Sequence, residues 1–198
     1  MQVAETAVPG AHVFTPLRHP DERGVFFESL RTDVLEEVLG HPVEVRQINY
    51  SSSRRNTLRG IHSVTSPPGQ AKYVSCVRGA LRDFVVDLRV GSPTFGCFDS
   101  NVLDPESGRA VYVPEGVGHG FLTLADDTCI SYALTSTYVP GTQIDVNPLD
   151  TELAIPWGFT DTPLMSPKDR EAPSLAEWLS RGVLAEWPHP APPSAPPE

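Results

Sequence analysis

Cysteine is scarce in this sequence, and the few cysteines form no metal-binding or redox pattern. Cys76, Cys97 and Cys129 are an odd number at wide spacings, and no two of them make a CxxC pair. Each lies in an apolar run of β-type residues, where a free cysteine behaves as a small buried hydrophobe. The sequence therefore predicts three buried free thiols rather than a disulfide framework.

Long apolar runs and a surplus of basic residues are also missing. The formal net charge is −10 and the basic residues are scattered, so a nucleic-acid partner is not expected. No stretch approaches the roughly 18 apolar residues of a membrane span, which argues against a membrane protein. The first residues lack a positive flank followed by an apolar run, so we expect no signal peptide and a cytoplasmic location.

The sequence does contain many short apolar segments separated by turn residues. These segments are rich in Val, Tyr, Phe and Ile, which is typical of β-strands. Strands at this spacing without intervening helices indicate a sandwich or barrel. The segment LRGIHSV is read as a half-buried β segment. Further strands are expected at residues 11–16, 44–50, 73–77, 81–88, 97–103, 110–113, 119–124 and 129–135.

Two short helices are expected beside the strands. The first fits TDVLEEVLG, with Thr32 as its cap and Gly40 as its stop. The second spans residues 174–181, where Ser174 and Glu177 have the spacing of a capping box.

The length of the chain favours one domain with extensions. We expect a single domain over residues 1–187. The remaining segment, PHPAPPSAPPE at residues 188–198, is dominated by proline and is expected to be disordered.

One motif narrows the fold class to an all-β, cupin-type jelly-roll sandwich. The segment VYVPEGVGHGFLTL carries Pro114-x-Gly116-x-x-His119 between two predicted strands, and it resembles the second signature of cupins. In metal-binding cupins the first signature supplies a His-x-His pair and a glutamate. The matching segment here reads His62-Ser63-Val64, so a metal centre lacks ligands. The sequence predicts a jelly roll without a metal.

A more specific resemblance extends over most of the chain. Eight stretches between residue 21 and residue 175 carry it: DERGVFFES, RQINYS, LRGIH, PPGQAKYV, VDLRVGSPTFG, YVPEGVGHGF, TSTYVPG and SPKDREAPSL. In this order they resemble the dTDP-4-dehydrorhamnose 3,5-epimerase family, a metal-free cupin group. The further stretch VNPLDTELAIPW resembles the epimerases of antibiotic deoxysugar pathways within that family.

The resemblance implies epimerisation of dTDP-4-dehydro-6-deoxy-D-glucose at C3, C5 or both, without a cofactor. Both carbons lie next to the C4 carbonyl, so a base can form an enolate and an acid can return a proton on the opposite face. The family pattern makes His62 the base, Asp169 its orienting partner, Tyr132 the proton donor and Lys72 the cation near the C4 oxygen. A phenol with an ordinary pKa near 10 stays protonated at pH 7.

The same resemblance implies a set of residues that bind the nucleotide sugar. Guanidinium groups suit diphosphate oxygens, and Tyr138 corresponds to a tyrosine that stacks on thymine. Gln143 departs from the pattern, because many relatives carry glutamate there, so its contact with the nucleotide is neutral. The implied binding residues are Arg23, Glu28, Gln47, Asn49, Arg59, His119, Tyr138, Gln143 and Lys168.

Two further expectations concern geometry and assembly. A regular strand would place Arg59 and His62 on opposite faces, so we expect a bulge at Gly60 that turns both toward one pocket. Proteins of this family are typically dimers, often with the N-terminal segment crossing to the partner. The apolar segment 11–16 could add an edge strand there, and we expect a homodimer.

Three alternatives remain open at this stage. The chain could be a 3-epimerase or a 5-epimerase only, since both share the base and the acid. A metal-dependent cupin enzyme is disfavoured by the missing His-x-His pair. A non-catalytic jelly roll that binds sugar nucleotides would not need a His–Asp pair opposite a tyrosine.

Overall fold

The computed structural model describes residues 1–187, so the predicted proline-rich tail lies outside the described residues. The chain forms thirteen strands and three short helices in this part. The strands are β1 Gln2–Glu5, β2 His12–Thr15, β3 His19–Asp21, β4 Gly24–Phe26, β5 Gln47–Ser53, β6 Leu58–Val64, β7 Lys72–Arg78, β8 Leu81–Asp87, β9 Phe98–Leu103, β10 Ala110–Val113, β11 Val117–Thr123, β12 Thr128–Leu134 and β13 Gln143–Asp145. The helices are α1 Thr32–Leu39, α2 Pro167–Arg170 and α3 Leu175–Ser180.

Two antiparallel sheets pack face to face, as expected for a jelly roll. One has six strands in the order β1-β2-β10-β7-β12-β5, and the other has five in the order β13-β6-β11-β8-β9. Strands β3 and β4 form a separate hairpin. Because side chains alternate along a strand, every second residue of β7, β8, β11 and β12 enters the space between the sheets. The core there includes Val74, Val85, Phe121 and Ile130.

The outer faces of both sheets are also covered. The five-stranded sheet packs its other face against the C-terminal segment, where Phe84 meets Trp157 with ring centroids 4.5 Å apart. The six-stranded sheet packs Tyr73 and Phe14 toward α1, whose Leu35 is buried. Because chain covers both faces, the central strands β8, β10 and β11 are buried along nearly their whole length rather than on alternate residues.

Most predicted elements are confirmed, with some corrections. Helix α1 ends at Gly40, which adopts the left-handed conformation with φ 74°, but its N-cap is Arg31, which makes no side-chain cap bond, rather than Thr32. The capping box of Ser174 and Glu177 at α3 is present. The patterns missed the short strands β1, β3, β4 and β13, because segments of three or four residues carry too little periodicity.

The cysteine prediction is partly wrong. All three thiols are free, but only Cys76 is buried, whereas Cys97 is exposed and Cys129 is intermediate. Cys97 precedes β9, which pairs only with β8 at the edge of the five-stranded sheet. An edge position leaves one side of the strand open to solvent, so an apolar neighbourhood in sequence does not bury the thiol there.

A bulge at Gly60 bends β6 as the sequence suggested. His62 pairs with His119 and Arg59 pairs with Phe121, so two residues of β6 stand opposite the single Gly120 of β11. Gly60 has φ +115°, and a Cβ there would lie 2.5 Å from the Cα of Gly120. Only glycine permits both this conformation and this close approach of the two strands.

Replacing Gly60 should therefore destabilise the protein. Gly60→Ala adds a Cβ that overlaps the backbone of β11, and we expect a cost of about 3 kcal/mol or more from crowding and conformational strain together. The corresponding fall in Tm is about 6–12 °C. Thermal unfolding followed by circular dichroism measures it.

Gly182→Ala is the matched control. Gly182 also has a positive φ, of +64°, but a Cβ there meets no atom of residues 1–187 within 4 Å, so the substitution should cost only about 1–2 kcal/mol. Equal losses in the two variants would show that the contact with β11 does not constrain residue 60.

Candidate active site

A cavity of about 520 Å³ opens between the two sheets. Lys72 on β7, His119 on β11 and Tyr132 on β12 face the same interior as the apolar core, so this cavity is a polar part of the sandwich interior. Eight of the thirteen residues predicted for the site line it: Asn49, Arg59, His62, Lys72, His119, Tyr132, Gln143 and Lys168.

His62 and Asp169 form a close pair at the cavity wall. Asp169 Oδ1 lies 2.6 Å from His62 Nε2, and the side chain of Asp169 is almost fully buried. Asp169 belongs to α2, where Ser166 caps the helix by accepting a hydrogen bond from the Asp169 N–H at 3.0 Å. Burial alone would raise the pKa of Asp169, but hydrogen bonds from His62 and Ser166 lower it below its usual value. The carboxylate thus fixes Nε2 as the protonated ring nitrogen and leaves Nδ1 to act on a ligand.

Lys72 is a buried cation whose hydrogen bond goes to the backbone. Its ammonium donates to the His62 carbonyl at 2.9 Å, and the residue is 8% exposed. Burial lowers the pKa of Lys72 to about 8, against opposing attraction from Asp145 and Asp83. A lysine held in such an environment is costly, which is typical of a functional site.

Tyr132 lies across the interior from His62. Burial raises the pKa of Tyr132 well above its usual value, and the positive charge of Arg59 opposes this shift only in part. The phenol therefore stays protonated at neutral pH. Its ring meets the His119 ring edge-on, with centroids 5.9 Å apart. This arrangement supplies an acid on one side of the cavity and an imidazole on another.

His119 is held by a second buried carboxylate. Asp83 Oδ2 lies 2.5 Å from His119 Nε2, and both side chains are at most 4% exposed. The patterns missed Asp83, although a signal exists: it is an acidic residue between Leu81 and Val85 on the inward face of an apolar strand. A buried carboxylate needs a partner, and His119 fills that role.

Asp145 on β13 is a further cavity residue that the sequence did not reveal. Its Oδ2 lies 3.0 Å from the Lys168 ammonium, and its Oδ1 lies 3.7 Å from His62 Nε2. The only sequence signal was the polar-apolar-polar order of Gln143, Ile144 and Asp145, in a segment too short to identify as a strand.

The remaining predicted residues lie outside the cavity wall. Gln47 and Tyr138 meet at its rim, where the Tyr138 N–H donates to Gln47 Oε1 at 3.1 Å. Arg23 instead pairs with Asp21 in the β3–β4 hairpin, and Glu28 lies 3.7 Å from Arg31. Within one chain the structure therefore does not bring Arg23 and Glu28 to the other candidate residues.

The described residues contain no group of three or more His, Cys, Asp or Glu side chains placed to hold a metal ion. None of the helices within residues 1–187 is long and apolar enough to cross a membrane. The cavity can support acid–base chemistry from its own side chains, because it holds an imidazole with an oriented tautomer, a protonated phenol and an ammonium group.

The fold is a cupin-type jelly roll, and its cavity holds groups suited to acid–base chemistry. The family model described as dTDP-4-dehydrorhamnose 3,5-epimerase matches residues 5–177. The chain belongs to this family.

Individual relatives agree with this assignment. A dTDP-4-dehydrorhamnose 3-epimerase of Streptomyces niveus is 49% identical over 93% of this chain and 88% of its own length. A dTDP-4-dehydrorhamnose 3,5-epimerase of Mycolicibacterium smegmatis is 44% identical over 94% of this chain and 92% of its own. The crystal structure of NovW, a 4-keto-6-deoxy sugar epimerase from the novobiocin gene cluster of Streptomyces spheroides, superposes with a TM-score of 0.92 at 48% identity and covers 94% of both chains.

The unusual protonation of Lys72 can be observed directly. Lys72 and Lys168 are the two lysines of the chain, so protein labelled with ¹³Cε-lysine should give two signals to follow by NMR. We expect one signal to titrate with a midpoint of about 8 and to disappear in Lys72→Met. A midpoint near the ordinary 10.5 for Lys72 would contradict the burial of its charge.

The same shift has a consequence for stability. The pKa of Lys72 is lower in the folded state than in the unfolded state. Below pH 8 the amine is charged in both states, and the cost of burying this charge lowers the free energy of unfolding. Between pH 8 and 10.5 the folded state releases the proton while the unfolded state keeps it, so this cost disappears. The stability of the parent protein relative to Lys72→Met should therefore increase over that range.

Proposed function

We propose that the chain is an isomerase that epimerises dTDP-4-keto-6-deoxyhexoses, such as dTDP-4-dehydro-6-deoxy-D-glucose, in deoxysugar biosynthesis. The observation that carries the proposal is the His62–Asp169 pair, which shares one cavity with Tyr132 and Lys72. The named relatives include both 3-epimerases and 3,5-epimerases, so inversion occurs at C3, C5 or both. We assign the activity to one jelly-roll domain over residues 1–187, in the cytoplasm with its nucleotide-sugar substrate.

The reaction requires only proton transfers. In our mechanism Nδ1 of His62 removes the proton from the carbon next to the keto group, and the electron pair of that C–H bond moves to form the enolate. Asp169 stabilises the imidazolium through Nε2. The Lys72 ammonium faces the developing charge on the C4 oxygen, where a preorganised cation contributes most. Tyr132 then returns a proton to the opposite face of the carbon, which inverts the centre.

The binding of the nucleotide follows from charge and position. Arg59 and Lys168 supply positive charge at the cavity wall, which suits an anionic diphosphate. Arg59 Nε donates to Ser53 Oγ at 3.1 Å, so its side chain is held in place. At the rim, Tyr138 is 62% exposed and offers a ring for the thymine base.

His119, Asn49 and Gln143 line the same cavity, and we assign them to hydrogen bonds with the substrate. Gln47 supports this group from the rim, because its Nε2 donates to Asn49 Oδ1 at 2.8 Å. Gln143 contributes a neutral amide, so its contact with the nucleotide sugar carries no charge.

In the homodimer predicted from the sequence, we place Arg23 and Glu28 of one chain at the site of the other chain. Both lie in or next to the β3–β4 hairpin, whose residues are exposed, including Phe26 at 67%. The edge strand β5 also exposes Ile48 and Tyr50 beside the cavity. Exposed apolar surfaces of this kind favour association. We propose that the hairpin of one chain meets the cavity of a second copy and delivers Arg23 and Glu28 to it.

The position of inversion can be measured with the parent enzyme. The purified chain, substrate and D₂O should give deuterium incorporation at C3, C5 or both, read by NMR of the sugar. Exchange at one carbon only identifies a mono-epimerase. Absence of exchange at both carbons while dTDP still binds would overturn the enzyme proposal in favour of a non-catalytic binding protein.

Tyr132→Phe tests the assignment of the two faces. The phenyl ring fills the same space, so the cavity should persist while the proton donor is lost. We expect deuterium exchange in D₂O to continue with retained configuration, while inverted product falls by about 10²–10⁴-fold. His62→Asn is the comparison variant and should lose exchange altogether while still binding dTDP. Inversion at the parent rate in Tyr132→Phe would assign the donor to another group.

Mixed dimers test whether Arg23 acts on the partner's site. Arg23→Ala and His62→Ala chains, each expected to be inactive alone, are unfolded together and refolded as a mixture. If Arg23 of one chain completes the other chain's cavity, half of the dimers regain one intact site, so about a quarter of parental activity should return, provided that pairing is random. No regained activity, or sedimentation as a monomer only, would contradict the shared site.

A further inference from the structure

Asp145 stands directly opposite His62 in the five-stranded sheet. Ile61 and Val146 exchange both backbone hydrogen bonds, at 3.0 and 2.8 Å, and Asp145 and His62 form the next pair in the register. In an antiparallel pair such a position is not hydrogen-bonded and brings the two side chains closest. The backbone register therefore sets the carboxylate beside the imidazole.

The Asp145 carboxylate is surrounded by nitrogen groups of the cavity. It lies 3.0 Å from the Lys168 ammonium and 3.7 Å from His62 Nε2, and only 15% of its side chain is exposed. Its negative charge also acts on the buried ammonium of Lys72. No role in the chemistry described above uses this carboxylate, although a nearly buried charge is costly to maintain.

The main chain of Asp145 is anchored separately. Strand β13 has three residues and pairs only with β6 at the edge of its sheet, so it needs a further restraint. The indole Nε1 of Trp178, on α3, donates to the Asp145 carbonyl at 2.7 Å. The Arg181 guanidinium lies over the Trp178 ring, 4.5 Å from its centroid. The side chain of Asp145 thus extends from a fixed backbone.

We propose that Asp145 is a positioning residue of the epimerase site, which fixes Lys168 at the cavity wall and keeps Lys72 an ammonium for the substrate's C4 oxygen. The inference rests on the proposed function. It adds a residue that acts through two lysines rather than on the substrate itself.

The charges around Lys72 indicate why the Asp145 carboxylate should affect the pKa of this lysine. Burial lowers the pKa of Lys72 to about 8, and Asp145 and Asp83 oppose that shift. Asp83 is bound to the His119 ring. Asp145 stands opposite His62, whose carbonyl accepts the hydrogen bond of the Lys72 ammonium, so this carboxylate and the ammonium lie on the same part of the cavity wall. The other titratable or charged groups that line the cavity or back its wall are Tyr50, Arg59, His62, His119, Tyr132, Lys168 and Asp169. Asp169 is hydrogen-bonded to His62, and Asp145 is paired with Lys168. Of the carboxylates, Asp145 lines the cavity, whereas Asp83 and Asp169 back its wall.

The test is Asp145→Asn, which removes the charge and keeps the shape. In protein labelled with ¹³Cε-lysine the Lys72 titration midpoint should fall from about 8 by about 0.5–1 unit. A fall of one unit would reduce the protonated fraction at pH 8 from about one half to about one tenth. Release of Lys168 should lower kcat/KM by a factor that does not change with pH. The lost protonation of Lys72 should add a further loss of about two- to fivefold at pH 8 that is absent at pH 6.

Asp161→Asn is the matched control, because it makes the same chemical change on an exposed loop and should move neither quantity. Asp145→Ser, which is neutral and smaller, serves if the asparagine variant fails to fold. Asp145→Glu keeps the charge and should restore the titration midpoint.

An unchanged Lys72 midpoint in folded Asp145→Asn or Asp145→Ser would overturn the inference, as would an equal loss of kcat/KM at pH 6 and pH 8. Absence of epimerisation by the parent chain would instead overturn the proposed function. The NMR titration does not depend on activity, so the two failures are distinguishable.

Discussion

The contact between Gly60 and Gly120 is the constraint on which the rest of the site depends. Two residues of β6 face one residue of β11 at this point, and the strands approach so closely that a Cβ on Gly60 would overlap β11. The extra residue reverses the alternation of β6, so Arg59 and His62 both line the cavity. In a regular strand without this bulge, only one of the two side chains, Arg59 or His62, could face the cavity.

Around that constraint the ionisable groups of the site are arranged in pairs. His62 is backed by Asp169, His119 by Asp83 and Lys168 by Asp145. Each pair joins two separate elements of the fold, so none of the pairs is formed by local sequence alone. Lys72 differs, because its ammonium donates to a backbone carbonyl. A cation without a directly bonded carboxylate can interact more strongly with new negative charge on a ligand, which suits a transition state with enolate character.

The same scaffold serves relatives named as 3-epimerases and as 3,5-epimerases. In the proposed mechanism the base, the acid and the cation serve both reactions, because C3 and C5 are both activated by the C4 carbonyl. Under that mechanism the choice between the carbons depends on how the sugar ring is presented to His62. In this chain the wall beside His62 includes β13, which supplies Gln143 and Asp145, and this strand is held by α3 through Trp178.

The sequence by itself determined the all-β class, most of the strands and the family resemblance, and it brought His62 and its neighbouring cations forward as candidate site residues. Period-two apolar runs, turn residues and the His62 segment carry that information locally. Even the bulge followed from a local conflict, since Arg59 and His62 lie three residues apart around a glycine. The tertiary structure alone decided which carboxylates back which rings, that Lys72 is buried, and that Arg23 and Glu28 lie away from the cavity of their own chain. These facts depend on long-range register and burial. The pairing of His62 with Asp169 joins residues 107 positions apart, and β13 is too short to show a pattern of its own.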